Sequence, residues 1–332
     1  CVGFVLLAAG MLHPIMAQPV GVVFSWLLTG MTWIVDTTSG LHLSHVYIAD
    51  TPDGFLILFY ILVPVILLLR WQPLKRVAVV ILYGAVAVTF LNGTRPTAAH
   101  ELRCTVLDVG HGSAAVVEFP DGAVFLVDGG ALNRGERTAD IICRFLWNRG
   151  YRGLNGVFIS HADADHYNAV SGVLNRMPVS EILTSQDFVN SPSASVQSVI
   201  QLAEATGTAV RILSDGDSAR VGESRLCCLQ PDRRALPHDA TDNEKSMVVV
   251  VEHAGHRIAL PGDLEGDSSQ QVFSEIGAVD VLVSPHHGSL GANTVAIARS
   301  LTPQTVVVSA RSSAKATRLQ AVFDQAELFH TC

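Results

Sequence analysis

Apolar and polar positions follow two regimes along the chain. The runs FLILFYILVPVILLL at 55–69 and VAVVILYGAVAVTFL at 77–91 carry no charge, and RWQPLKR at 70–76 separates them. This pattern predicts a transmembrane hairpin rather than two buried core helices. Each run is a little shorter than the roughly 17 to 25 residues of a span, but flanking Trp, Thr and Asn extend it and Arg and Lys can snorkel. Val2 to Leu12 and Pro19 to Val35 are apolar too, with Trp26 and Trp33 in the latter, which predicts one further span and a shallow or re-entrant piece. No cationic leader with a small-residue cleavage site precedes these segments, so a secretory signal is the poorer explanation. Arg70, Lys75 and Arg76 belong on the cytoplasmic side, and the segment ending near Leu91 then leaves on the opposite face. A turn-rich linker follows at Asn92-Gly93-Thr94-Arg95-Pro96.

From Glu101 onward, short apolar strands alternate with turns and amphipathic helices. Strands are expected at Cys104–Val109, Ala114–Phe119 and Val124–Val127, with the turn Pro120-Asp121-Gly122 between the last two. A helix over Thr138–Trp147 precedes the strand Gly156–Ser160. Further strands are expected at Glu181–Thr184, Ala209–Leu213, Ser224–Leu229, Met247–Glu252, Arg257–Leu260, Val279–Val283 and Thr305–Val308. Helices are expected near Ser195–Ala205, Thr294–Ser300 and Ala316–Glu327. The pattern predicts an α/β architecture of two mixed sheets covered by helices.

Composition sharpens the division into residues 1–95 and 101–332. Only seven charged residues fall in the first hundred positions, whereas the remainder carries 27 acidic and 18 basic groups. The acidic balance disfavours a broad nonspecific phosphate-binding surface unless cations and local arginines offset it. Arg233, Arg234, Arg311, Lys315 and Arg318 are the candidates for backbone contact. The six cysteines show no CxxC or Cys/His spacing and read as buried thiols. The chain begins with Cys1 rather than Met and reads as a fragment of a longer protein.

The densest chemistry lies at three strand ends. His161-Ala162-Asp163-Ala164-Asp165-His166 follows the apolar run Gly156–Ser160, and alternation in an extended segment would put His161, Asp163 and Asp165 on one side, with a turn swinging His166 in. Imidazole and carboxylate ligate borderline and hard divalent cations, and such a site can hold two. Ile258–Leu260 leads through Pro261-Gly262 to Asp263, placed to bridge two cations, and Val281–Val283 leads to His286 and His287. Two glycine turns, Leu107–Ser113 and Phe125–Gly130, also follow strands, and Asp108 or Asp128 could orient a ligating histidine. For Asp128 an Asx-type turn is an equal alternative. Asn243, Lys245 and Ser246 either line the cleft or start a strand. No Walker-type loop and no serine or cysteine nucleophile with a matching base is present.

Taken in order, LDVGHG at 107–112, FLVDGG at 125–130, SHADADH at 160–166, DNEKSMVV at 242–249, PGD at 261–263 and HHGS at 286–289 resemble the metallo-β-lactamase fold. More narrowly they resemble the carboxy-terminal domain of the ComEC family of bacterial DNA-uptake channels. The resemblance implies a four-layer αββα sandwich preceded by transmembrane helices, with a cleft for two divalent metal ions. It assigns His161, Asp163, Asp165 and His166 to the signature loop, Asp263 to the bridging position and His286 or His287 to the last ligand. Asp163 stands where the broader superfamily usually has His, which hardens the site and makes Mn²⁺ as reasonable as Zn²⁺. His111 and Ser113 replace Gln and Asp of the family's GQGD, and no motif assigns a mid-domain histidine; His238, His253 and His256 lack roles.

The implied function is DNA uptake in natural transformation by a multi-pass inner-membrane protein. Its domain on the non-cytoplasmic side would be a metal-dependent phosphodiesterase degrading the strand that is not transported, alongside other uptake-machinery components. Asp165 would orient the attacking hydroxide or relay its proton, and His111 or Ser289 would reach the leaving oxygen. The alternatives are a DNA-guiding scaffold with a non-hydrolytic metal site and a hydrolase of a small ester or lactam.

Overall fold

The computed structural model describes residues 14–39, 53–93, 101–310 and 317–331. The chain forms two units, Cys1–Tyr47 and Ile48–Cys332, each taken by itself. The expected segment Val2–Leu12 lies outside the described residues, as do Arg311, Lys315 and most of the 92–96 linker.

In the first unit, helix α1 (Pro14–Ser39) carries one charged residue, Asp36, and exposes Trp26 and Trp33. Its stretch Gln18–Thr38 is long and apolar enough to cross a membrane. In the second unit, α2 (Asp53–Leu68) packs against α3 (Gln72–Gly93), and of the two, Gln72–Thr89 meets the same length criterion. The break between them is only 69–71, much shorter than the expected basic linker. Pro73 sits in the first turn of α3, where its missing N–H costs no hydrogen bond, so the helix can begin inside RWQPLKR.

The remainder is built on two sheets. The first has the order β1 (Arg103–Val106), β2 (Ala115–Glu118), β3 (Val124–Val127), β4 (Leu154–Ile159), β5 (Val179–Thr184) and β6 (Ala209–Ile212). β1 to β3 form the expected antiparallel meander, and β3 to β6 run parallel. Crossover helices, including α4 (Gly135–Asn148) and the helix Ala194–Thr206, supply the connections that parallel pairing requires. The second sheet has the order β13 (Glu327–His330), β12 (Thr305–Val308), β11 (Val281–Val283), β10 (His256–Leu260), β9 (Val248–His253), β8 (Ser224–Leu229) and β7 (Ser218–Val221). Here β7 to β10 are antiparallel and β10 to β13 parallel.

Three apolar clusters define four layers. Leu126, Val157, Ile159 and Ile182 pack with Ile142, Leu146 and Val199 of the helices on the first sheet. Phe119, Phe125, Phe158, Met247, Val249 and Leu260 fill the space between sheets. Val248, Val250 and Leu282 pack with Phe273 and Ile297 on the far side. Each such fully buried side chain contributes about 1.5–3 kcal/mol, so the inter-sheet layer fixes how the two sets of strand ends meet. This is the expected αββα sandwich. Burial pushes the thiols of Cys104, Cys143 and Cys228 up to about 12, which makes them apolar filler rather than nucleophiles.

The expected helix Ala316–Glu327 is not formed: a helical turn at 317–319 gives way to turns and then to β13. β7 was not expected either. Both are edge strands with mostly exposed positions, so neither shows the alternation that marks a half-buried strand.

Candidate metal centre

Three strand ends of the two sheets deliver their polar residues to one place. β4 ends at Ile159 and hands over to Ser160 and His161. The expected alternation stops at Asp163, whose extended backbone (φ −84°, ψ 138°) caps a short helix, α5 (Ala164–Tyr167). Helical rather than extended geometry therefore separates the ligand types. His161 and His166 face each other with ring centroids 4.2 Å apart, while the Asp165 carboxylate turns toward His287. Asp163 stays half-exposed, its Oδ2 3.6 Å from His161 Nε2.

β10 ends in Pro261-Gly262-Asp263. Gly262 has φ +57°, and a Cβ there would collide with the hydroxyls of Ser160 and Ser246, both of which lie beside His161 Nδ1. Asp263 divides its oxygens: Oδ1 is 3.0 Å from His166 Nε2, and Oδ2 is 3.5 Å from His287 Nε2. The carboxylate thus faces two imidazoles, one through each oxygen. β11 ends at the His pair, and His286 and His287 both adopt left-handed backbone (φ 49°), a conformation rare and strained for non-glycine residues. The loop is fastened by Asn293, whose Nδ2 donates to Pro285 O and Ser289 O, while Ser284 Oγ donates to its Oδ1. His286 N also donates to Gly262 O, which ties this loop to the one bearing Asp263.

The two histidines of the pair take different places. His287 is buried, its Nε2 3.3 Å from both Asp165 Oδ2 and His166 Nε2. His286 lies at the rim with its Nδ1 2.7 Å from Glu265 Oε2, and Glu265 Oε1 accepts from Asn243 Nδ2. Its Nε2 is 3.8 Å from Asp263 Oδ2. Asp128 Oδ2 pairs with His166 Nδ1 at 2.7 Å and accepts from Ser160 Oγ, and its Oδ1 accepts from Ser160 N. Asp108 instead makes a local turn, accepting from Gly110 N. Ser289 contributes backbone bonds to its own loop, and among the described residues no side-chain hydrogen bond ties it to the cluster. His111 Nε2 is 3.8 Å from Asp165 Oδ2. His253 bonds Ser224 and His256 approaches Asp280, at the end of the β9–β10 hairpin opposite Asp263.

Burial opposes charge on Asp165, but the hydrogen bond from His287 and the nearby imidazoles outweigh it and hold the carboxyl at about 2. Asp263 is held below the usual carboxylate range in the same way, mainly by His166 against the cost of burial. His166 is raised well above its ordinary value: burial would lower it, but Asp263 and Asp128 prevail. Positive charge is thus strongly favoured at this point. His161 Nε2 is buried without a hydrogen-bond partner, and His161, His166 and Asp263 bring their ligand atoms within 4.8 Å of one another. A polar atom left bare in the interior costs about 1–3 kcal/mol, and a divalent cation on Nε2 removes that cost. The donor set fits such a cation.

Two residues of this centre were not expected. Glu265 lies two positions past Asp263, in no motif. Ser160 reads from the sequence as the last residue of a strand. Arg233 and Arg234, named above for backbone contact, line a separate 510 Å³ hollow, where Arg233 pairs with Asp187 at 2.7 Å.

The chain is 27% identical over 308 residues to ComE operon protein 3 of Bacillus subtilis, covering 86% of this chain and 39% of that protein. It is 26% identical over 208 residues to Recombination protein 2 of Haemophilus influenzae, covering 61% of this chain and 23% of that protein. The chain thus spans well under half the length of these relatives, and both bear out the ComEC-type resemblance of its motifs. The metallo-β-lactamase fold protein YhfI from Bacillus subtilis superposes with a TM-score of 0.50 at 15% identity, covering 69% of this chain and 96% of that one. The model for the metallo-β-lactamase superfamily matches residues 107–310, and the chain belongs to that superfamily.

Proposed function

We propose that residues 101–332 form a metal-dependent phosphodiesterase acting on DNA, attached through the apolar helices of residues 1–95 to the inner membrane as part of a DNA-uptake apparatus. One observation carries the hydrolytic reading: Asp263 presents one oxygen to His166 and the other to His287, as a carboxylate shared by two cations would. DNA as the substrate class is supported by the ComEC-type relatives, which are competence proteins, and by the apolar helices that precede the domain.

His161, His166 and Asp263 would hold one ion, with Asp163 beside His161, and Asp165 and His287 would contribute to a second; Mn²⁺ and Zn²⁺ both suit this mixture. Such ions, when bound, supply Lewis acidity and bring the pKa of a coordinated water from 15.7 to about 7. Asp128 keeps the His166 ring turned so that Nε2 faces the cleft. In the hydrolysis the water loses one proton to solvent as its oxygen bonds to phosphorus, the ester P–O bond breaks, and the departing alkoxide oxygen takes a proton. His286, with Nδ1–H held on Glu265 and its ring at the open rim, would give that proton from Nε2 when both of its nitrogens carry hydrogen.

The test is full-length chain in detergent incubated with labelled single- and double-stranded DNA under Mn²⁺ or Zn²⁺, beside a chromogenic lactam and an ester. Metal-dependent DNA cleavage that Asp263→Ala abolishes is the expected result. Tight DNA binding without turnover would favour a guiding scaffold, and turnover of the small substrates alone would overturn the DNA reading. For topology, a reporter fused after Leu91 is expected on the non-cytoplasmic side, and a cytoplasmic signal would reverse that assignment.

A further inference from the structure

We propose that His111 is itself a metal ligand, completing with Asp165 and His287 the outer of two cation positions; this rests on the reading of the cleft as a metal centre. His111, Asp165 and His287 bring one ligand atom each within 4.8 Å of one another, as do His161, His166 and Asp263 deeper in the cleft. Two donors about 2.1 Å from a tetrahedral ion lie about 3.4 Å apart. Asp165 Oδ2 is 3.3 Å from His287 Nε2 and 3.8 Å from His111 Nε2, so the two edges that meet at the carboxylate lie within a few tenths of an ångström of that spacing. The His111 and His287 rings are 4.9 Å apart.

The backbone around His111 is built to hold it there. Leu132 N donates to His111 O, Ser113 N donates to Asp165 O, and Gly130 N donates to Ser113 O. Ser309 Oγ, from the far end of β12, donates to Gly112 O. Gly112 lies so close to Gly130 and Ala131 that a Cβ would collide with their backbone. The loop bearing His111 is therefore bonded directly to the residue whose carboxylate it faces. This fastening makes a passing surface contact a poor account of the 3.8 Å approach.

Of the three histidines to which no motif gives a role, two lie away from the cleft. His253 is engaged by Ser224, and β10 alone, at about 3.3 Å per residue, sets His256 more than about 13 Å from Asp263. His286 is turned to Glu265. A chain that lacks a mid-domain ligand histidine thus acquires one from the first glycine turn, where the resembling family carries Gln.

The experiment uses full-length protein in detergent, stripped with a chelator and titrated with Co²⁺. Bound metal per chain is measured by mass spectrometry and the visible Co²⁺ absorption is recorded. Wild type is expected to take up two ions. His111→Ala and His111→Gln should each weaken the second by 10- to 100-fold or more and change the absorption, while His238→Ala should do neither. His111 has a side chain 43% exposed, so both variants should fold, with melting temperature as the check. Two ions bound to both variants with wild-type affinity and spectrum would overturn the assignment and leave the metal centre standing. Failure of wild type to bind any ion would overturn both.

Discussion

Replacing Asp128 by asparagine tests whether the buried carboxylate sets the ligand face of His166. Asp128 accepts from Ser160 N on Oδ1, and its Oδ2 faces His166 Nδ1 and Ser160 Oγ. Asparagine tolerates the left-handed backbone found there (φ 57°) and can keep the bond from Ser160 N, so the fold should survive. Its amide nitrogen must then occupy the Oδ2 position, with its hydrogens toward Nδ1. The ring escapes this clash by moving its own hydrogen to Nε2, the atom that faces Asp263 and would bind metal. Loss of such an orienting partner costs about 10- to 100-fold in metal affinity, or about 1.4 to 2.7 kcal/mol. Chelator-competition titrations with Zn²⁺ and Mn²⁺ measure this directly. Asp128→Ala is the contrast, because it also strips acceptors from buried Ser160 N and should destabilise the fold by about 1–3 kcal/mol. Affinity of Asp128→Asn within twofold of wild type, in a protein that melts normally, would refute the orienting role.

Gly130→Ala should damage the centre through backbone alone: its Cβ would lie 2.5 Å from Asp165 C and 2.7 Å from His166 N, so α5 must move. We expect at least a tenfold loss of metal affinity and about 1–3 kcal/mol of stability, read by titration and thermal melting; unchanged values would mean that the close packing of the two loops is unimportant. The metal-free protein should be most stable between about pH 4 and 6.5. The raised His166 contributes stability that is full below about 6.5 and lost as pH rises through its folded value, whereas Asp165 contributes stability present above about 3.9 and lost as pH falls toward about 2. Melting temperatures across this range check both limbs, and a metal-free form that gains stability above pH 7 would contradict the sign. His286→Ala should slow cleavage of an alkyl phosphodiester about 100-fold or more but that of a p-nitrophenyl diester far less, since nitrophenolate leaves without a proton; equal losses on both would remove His286 as the donor.

What the sequence revealed, and what it concealed, follows from the range of the interactions involved. Apolar runs that stop at Asp, His or Gly mark where strands leave the core, and that local signal located His161, Asp163, Asp165, His166, Asp263 and the 286–287 pair without coordinates. Pairing of those ends is not local. Asp165 reaches His287 across 122 positions because two sheets, each coherent in its own pattern, are pressed together by Phe119, Met247 and their neighbours. The choice between His286 and His287 was equally hidden, since it depends on two left-handed residues held by Asn293 and on Glu265 capturing one ring. Asp128 escaped a decision for a related reason: its left-handed φ of 57° suits a turn residue, but its carboxylate bonds Ser160 and His166 while Gly130 N goes to Ser113 O, so the orienting arrangement forms in place of an Asx-type turn. The sequence therefore identifies which residues leave the sheets with chemistry to offer. Contact between the sheets decides which of them converge around Asp263 and which is left at the rim beside Glu265.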